Sequence, residues 1–217
     1  VQTIVTVPAT IQGVIMARID QLPDTAKRLL QTAAIFGRNV PLHLLRAIWE
    51  EPATLDTDLQ ELQRLEFLYE HTGIEEPTYV FRHPLTQEVV YASLLTAHRQ
   101  VLHAAAGQAL EALYADRLDE AYDHLAYHYA QTQEATKAVH YLTQSAEKAA
   151  RSFAHTEVVA ALRQVLVHAE RLPVAERDCQ LLDVVLRQVH SLIFLGRFAE
   201  TLDVLLRHQS RLVQLQD

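Results

Sequence analysis

The chain has 217 residues, 49% of them hydrophobic and 21% charged, so it can bury a core large enough to fold without staples, which excludes disorder and collagen-like structure. Five Gly and seven Pro leave few places for tight turns, and helix-forming residues dominate, which argues against a mainly β protein. A formal net charge of −8 argues against the broad positive surface of a nucleic-acid binder.

Val1 to Pro8 show no basic segment followed by a long apolar run, and no stretch approaches the ~20 apolar residues of a membrane span. From Ala9 to Phe36, Ile11, Ile15, Ile19, Leu22, Leu29, Leu30 and Ala33 recur at helical spacing, broken at Pro23, which predicts two helices. Asp24 can start the second, and Gly37 sits where a helix commonly stops in a left-handed conformation. A further helix is expected from Pro41, in its first turn, to about Trp49, ended by Glu50-Glu51-Pro52. Another follows from Thr54, with Leu55, Leu59, Leu62 and Leu65 on one face. Phe67-Leu68-Tyr69 and Thr78-Tyr79-Val80-Phe81 then flank His71-Thr72-Gly73 and read as the chain's single β-hairpin. Helices followed by a hairpin give the outline of a winged helix, with the hairpin as its wing.

Helical patterning resumes at Pro84 to Leu95 and from about Ala97 to Tyr114, and continues as helix pairs. Leu125, Ala126, Tyr129, Ala138, Leu142 and Ala149 are spaced as in a tetratricopeptide hairpin, and Gly196, Phe198, Leu202 and Leu205 repeat part of that design out of register. The expected fold is therefore mainly α: a winged-helix domain over residues 23–112, then a tetratricopeptide-like solenoid of helical hairpins over residues 113–217. The pattern is still helical at Gln214 to Asp217, so the chain is expected to be a fragment of a longer protein. Cys179 is the lone cysteine, which precludes an internal disulfide or a thiolate metal site and fits a reducing, cytoplasmic compartment.

Chemistry-bearing motifs are few. Residues 1–112 carry 8 basic and 13 acidic side chains and the remainder 11 and 14, balances of −5 and −3, so neither half is basic. The helix preceding the wing carries Asp56, Asp58, Glu61 and Glu66 against Arg64, a sign that repels phosphate and makes DNA binding the weakest reading. There is no Gly-x-Ser-x-Gly elbow and no Gly-rich phosphate loop ending in Lys-Ser or Lys-Thr, so this stretch by itself predicts neither a serine hydrolase nor a P-loop ATPase. His124 and His128, at i and i+4, are a weak metal pair without a visible third ligand, and Arg99 with His103 shares that spacing. Tyr127, Tyr129 and Tyr141 read as hairpin packing. Tyr122, His124, His128, Arg187 and Arg197 could line a groove, but helical phase alone does not fix which face is concave.

The segment Tyr79 to Tyr91 is the informative one, because His83 stands where a strand ends and a helix begins, with Pro84 favouring helix onset. A helix start favours an anion, and an imidazole adds a directed donor for phosphate.

Val7-Pro8-Ala9-Thr10-Ile11, Ala17-Arg18-Ile19-Asp20-Gln21-Leu22-Pro23, Leu30 to Gly37 and Tyr79 to Leu95 together resemble the region that follows the nucleotide-binding domain in bacterial STAND-class, AAA-like signal-transduction ATPases. The Leu102-His103 helix and the hairpins beyond Ala121 also fit, more weakly. The resemblance implies that residues 1–22 end an ATPase lid or linker, with a winged helix and a sensor solenoid after it. It implies an upstream nucleotide-binding domain as partner, ATP or ADP bound in the parent protein and not by this stretch alone, and a protein or small-molecule signal on the repeats. In that class a His in a Met-His-Asp motif contacts the ADP β-phosphate. The matching string here is Arg82-His83-Pro84, which keeps the His and replaces Met and Asp, so His83, with Arg82 beside it, is the expected nucleotide-binding residue. Class III nucleotide cyclase, kinase or DNA-binding output domains accompany this assembly in the class. The alternatives are a free-standing helical-repeat adaptor without a nucleotide role and a DNA-binding regulator.

Overall fold

The computed structural model describes residues 9–72 and 77–214. Val7 and Pro8 of the resemblance, Gly73 of the predicted hairpin, the side chain of Cys179 and residues 215–217 lie outside the described residues. Within them the chain is mainly helical, with eleven helices and one small antiparallel sheet. No described helix is long and apolar enough to cross a membrane. The chain divides into two units, Val1–Ala109 and Leu110–Asp217.

The first unit holds α1 (Ala9–Ile19), α2 (Asp24–Ala34), β1 (Asn39–Pro41), α3 (Leu42–Ile48), α4 (Leu55–Arg64), β2 (Leu68–Thr72), β3 (Pro77–Phe81) and α5 (Pro84–Ser93), and α6 (Thr96–Leu113) starts in it. Pro23 precedes α2 and Asp24 stands in its first turn, where a carboxylate offsets the unpaired amides. Ala26, Leu29, Leu30, Ala33 and Ala34 form its buried face, and Leu55, Leu59 and Leu62 do the same for α4. The two helices pack together, and the sheet closes the core with Val40, Leu68, Tyr79 and Phe81, joined by Phe67 just before β2.

The hairpin predicted from the sequence is present but is not alone. β1 joins it in the order β1-β3-β2, pairing Asn39 with Val80 and Pro41 with Thr78. Pro41 thus ends an edge strand and precedes α3 instead of lying in its first turn; an edge strand tolerates a residue without an N–H donor. A three-residue strand with one buried residue, Val40, is too short to show an alternating pattern. β3 is the central strand, and its last three residues, Tyr79, Val80 and Phe81, are all buried because both faces are covered.

The second unit stacks α7 (Leu118–Ala130), α8 (Ala135–Arg151), α9 (His155–Ala169), α10 (Val174–Phe194) and α11 (Phe198–Gln214), each packed on the next. Leu125, Ala126, Tyr129, Ala138 and Leu142 are buried as the spacing predicts, and Ala149 is half-buried. The later partial repeat behaves differently. Gly196 ends α10 at φ +68°, but Phe198, Leu202 and Leu205 stay exposed.

Polar contacts tie α8 to the end of α6 and to α7. Glu111 accepts hydrogen bonds from Lys137 Nζ at 2.9 Å and the Tyr141 hydroxyl at 2.7 Å, while Lys137 also reaches the Tyr129 hydroxyl at 2.9 Å. Tyr129 and Tyr141 stack with centroids 5.4 Å apart, and burial pushes the Tyr129 hydroxyl up to about 12.

Candidate functional site

The junction between β3 and α5 is set by the sheet and by Pro84. The Arg82 amide donates to the Phe67 carbonyl at 3.0 Å and the Phe81 amide to the Arg38 carbonyl at 2.9 Å, so the ladder holds the chain up to the junction. A residue before proline is confined to extended backbone, and His83 has φ −124° and ψ 126°. Pro84 then opens α5, whose position is fixed by Gln87 Nε2 donating to the Ala34 carbonyl at 2.8 Å.

At this junction the His83 side chain is exposed and makes no capping hydrogen bond, and no acidic residue stands in the first turn of α5. The helix end therefore keeps its positive partial charge beside an accessible imidazole. Arg82 is also exposed and lies 3.4 Å from Glu66. Glu66 has a positive φ of 62° and closes α4, with the Phe67 amide donating to the Leu62 carbonyl and the Glu66 amide to the Gln63 carbonyl. An anion bound at the junction would meet His83 first, and Arg82 only by competing with Glu66.

Nearby, His103 is treated in the opposite way. It is fully buried on α6, with Nε2 3.0 Å from the Tyr91 hydroxyl and Arg99 stacked 4.9 Å over the Tyr91 ring. Burial, and secondarily the charge of Arg99, lowers the His103 imidazole to about 4, so at neutral pH it is an uncharged core group. This explains the Arg99–His103 spacing without a ligand.

The acidic helix before the hairpin divides its charges. Asp58 faces inward, accepting from the Thr25 hydroxyl at 2.8 Å, while Glu61 pairs with Arg64 and Asp56 lies 3.9 Å from Arg46. Its arginine is thus already engaged by a carboxylate.

In the second unit, His124 is exposed and His128 is 2% exposed, so the two imidazoles do not converge on one solvent-facing position. Among the described residues no group of three or more His, Cys, Asp or Glu could hold a metal ion. Tyr127 is exposed while Tyr129 and Tyr141 are buried. Tyr122 lies 6.4 Å from the Tyr141 ring, and Arg197 donates to Glu200.

Arg187 alone of those groove candidates opens onto a cleft of about 540 Å³ between α8, α9 and α10. Most of the lining was not foreseen. His155 stacks on Phe194 at 4.7 Å and 12°, His190 lies 4.8 Å from the same ring, and His155 Nδ1 sits 3.3 Å from Ser191 Oγ. Phe194 is 65% exposed and Phe153 81% exposed. Phe153 also has φ 58°, because it occupies the position that terminates α8: its amide donates to Ala150 and the Ala154 amide to Ala149. Gly196 fills the equivalent position after α10, with the same bonding from Gly196 to Ile193 and Arg197 to Leu192. A left-handed backbone costs a non-glycine residue roughly 1–2 kcal/mol. The sequence signal that could have exposed this cleft is therefore an aromatic residue where a helix stop calls for glycine.

No protein-family model matches the chain. A stretch of 97 residues is 36% identical to an uncharacterized protein of Rhizobium meliloti (strain 1021), covering 42% of this chain and 9% of that protein. The chain therefore matches a small part of a much longer relative.

Proposed function

We propose that this chain is the regulatory region of a STAND-class signalling ATPase, in which the first unit carries a winged helix that responds to nucleotide state through His83 and the second is a tetratricopeptide-like sensor. The observation that carries the reading is His83: an exposed imidazole, held in extended backbone at the start of α5, with no capping role and no carboxylate in the first helical turn. The succession α2-β1-α3-α4-β2-β3, with β1 added beside the hairpin, supports a winged helix. The stacked helices of the second unit support a repeat sensor, and similarity to a small part of a long protein suits a region working inside a multidomain chain.

The mechanism is a population shift. ADP bound to an upstream domain is contacted by His83 in one state, and nucleotide exchange or a signal on the repeats favours the other. A charge-assisted hydrogen bond to phosphate contributes about 1.5–3 kcal/mol, enough to move such an equilibrium roughly tenfold to a hundredfold.

The test uses the parent protein with its nucleotide-binding domain: purified wild type and His83→Ala are denatured and the released adenine nucleotide is quantified. Stoichiometric ADP in the wild type and its loss in the variant is the expected outcome. Equal ADP in both removes His83 from the site, and none in either favours the adaptor reading.

A further inference from the structure

The cleft of the second unit is a site of another kind, and it stands whether or not His83 meets a nucleotide. We infer that it binds a small organic amine with a flat aromatic body, the ring held against Phe153 and the His155–Phe194 stack and the ammonium group drawn toward Glu147.

Its size comes first. At about 540 Å³ it falls within the range of pockets that take small organic ligands, and apolar walls from Ala146, Ala150, Val158 and Leu162 are joined by only a few polar groups. The aromatic content points to a flat ligand. His155 and Phe194 are already stacked at 4.7 Å, His190 flanks them at 4.8 Å, and both Phe153 and Phe194 present their rings to solvent. A core has no use for either ring in that position, and Phe153 holds its place against a left-handed backbone that Gly196 shows the fold can close without an aromatic residue.

Charge then selects the head group. Arg187 is clamped by two carboxylates, Glu147 in the cleft wall at 2.7 Å and Asp183 one turn away on α10 and outside the lining at 2.7 Å, so the three together carry one net negative charge. An anion would have to displace a carboxylate from Arg187. A cation can share Glu147 with Arg187, whose own charge Asp183 also offsets, and it gains the faces of the exposed rings as well.

Three indole probes of matched size separate these terms in NMR titrations of the 217-residue chain: tryptamine as cation, tryptophol as neutral body and indole-3-propionate as anion. Tryptamine is expected to bind at least tenfold more tightly than indole-3-propionate and to shift the ring protons of His155 and His190. Glu147→Gln is expected to bring tryptamine down to the affinity of tryptophol, and Phe153→Gly to weaken tryptamine and tryptophol alike by at least tenfold. Glycine suits the Phe153 backbone, so that variant keeps the fold and its loss of binding reports on the ring. The proposal is overturned if none of the probes moves His155 or His190, if the anion binds as tightly as the cation, or if sedimentation shows a self-associated chain that Phe153→Gly dissociates while tryptamine fails to bind.

Discussion

The two units place their phenylalanines in opposite ways. In the first, Phe81 on the central strand is wholly buried and Phe67 nearly so, and the apolar residues gather in a main core with a smaller cluster about Ile35, Leu94 and Ala106. In the second, a core runs between successive helices, yet Phe153, Phe194, Phe198, Leu202 and Leu206 remain mostly exposed. The contrast teaches that the second unit leaves phenylalanine rings for something else to cover, whereas the first keeps its own in or against the core and offers solvent a polar junction at Arg82 and His83.

The largest effect that would break this contrast is on Phe81. Removing a fully buried aromatic side chain from a central strand leaves a cavity that the covered faces cannot fill, so Phe81→Ala is expected to destabilise the chain by about 3–5 kcal/mol in urea unfolding. A loss below about 1 kcal/mol would mean that the first unit is not closed around this strand.

His103 sharpens the picture next, because it reports on how well the first unit excludes water. Its imidazole ionises near 4 when folded, against about 6.5 in the unfolded chain. Above pH 6.5 both states are neutral and the group makes no pH-dependent contribution. As pH falls from 6.5 to 4, the unfolded chain takes up a proton that the folded chain refuses, and up to about 3 kcal/mol of stability is lost. His103→Phe should remove that component while leaving the carboxylate-linked acid transition in place. Parallel stability curves for wild type and variant over this window would show that His103 meets solvent.

Much of the fold was legible because it rests on local rules. Pro23 with Asp24 marks the start of α2, the Leu55–Leu59–Leu62 spacing marks α4, and the β-prone runs Phe67–Tyr69 and Thr78–Phe81 mark two strands. β1 was not legible, since three residues held only by pairing with β3 carry no periodicity of their own. The junction at His83 could be located from the sequence because Pro84 dictates local backbone, but its exposure depends on how the sheet and α5 meet. The cleft was hidden for a further reason: His155, His190 and Phe194 come from helices whose relative phase is a tertiary property, and periodicity assigns each residue to a face without saying what that face meets. His128 shows the same gap, being spaced like a ligand partner of His124 while turned into the core.

The smallest effect is the most diagnostic for the contrast, because its sign differs from that of Phe81→Ala. Phe153 is 81% exposed, so truncating it forfeits little apolar burial, while its left-handed backbone is one that glycine adopts without strain. Glycine also gives the unfolded chain more freedom, which takes back part of the gain. The balance for Phe153→Gly is a stabilisation of about 0.5–1 kcal/mol, read as a higher urea midpoint with an unchanged slope. Gly196→Ala, at the matching end of α10, should move the midpoint the other way by about 1 kcal/mol. If Phe153→Gly instead lowers stability by a kilocalorie or more, the ring packs within the fold and the contrast between the units fails at this residue. If it raises stability, the chain carries an aromatic residue at a cost to its own folding, and the reason for keeping it lies in the cleft it overhangs.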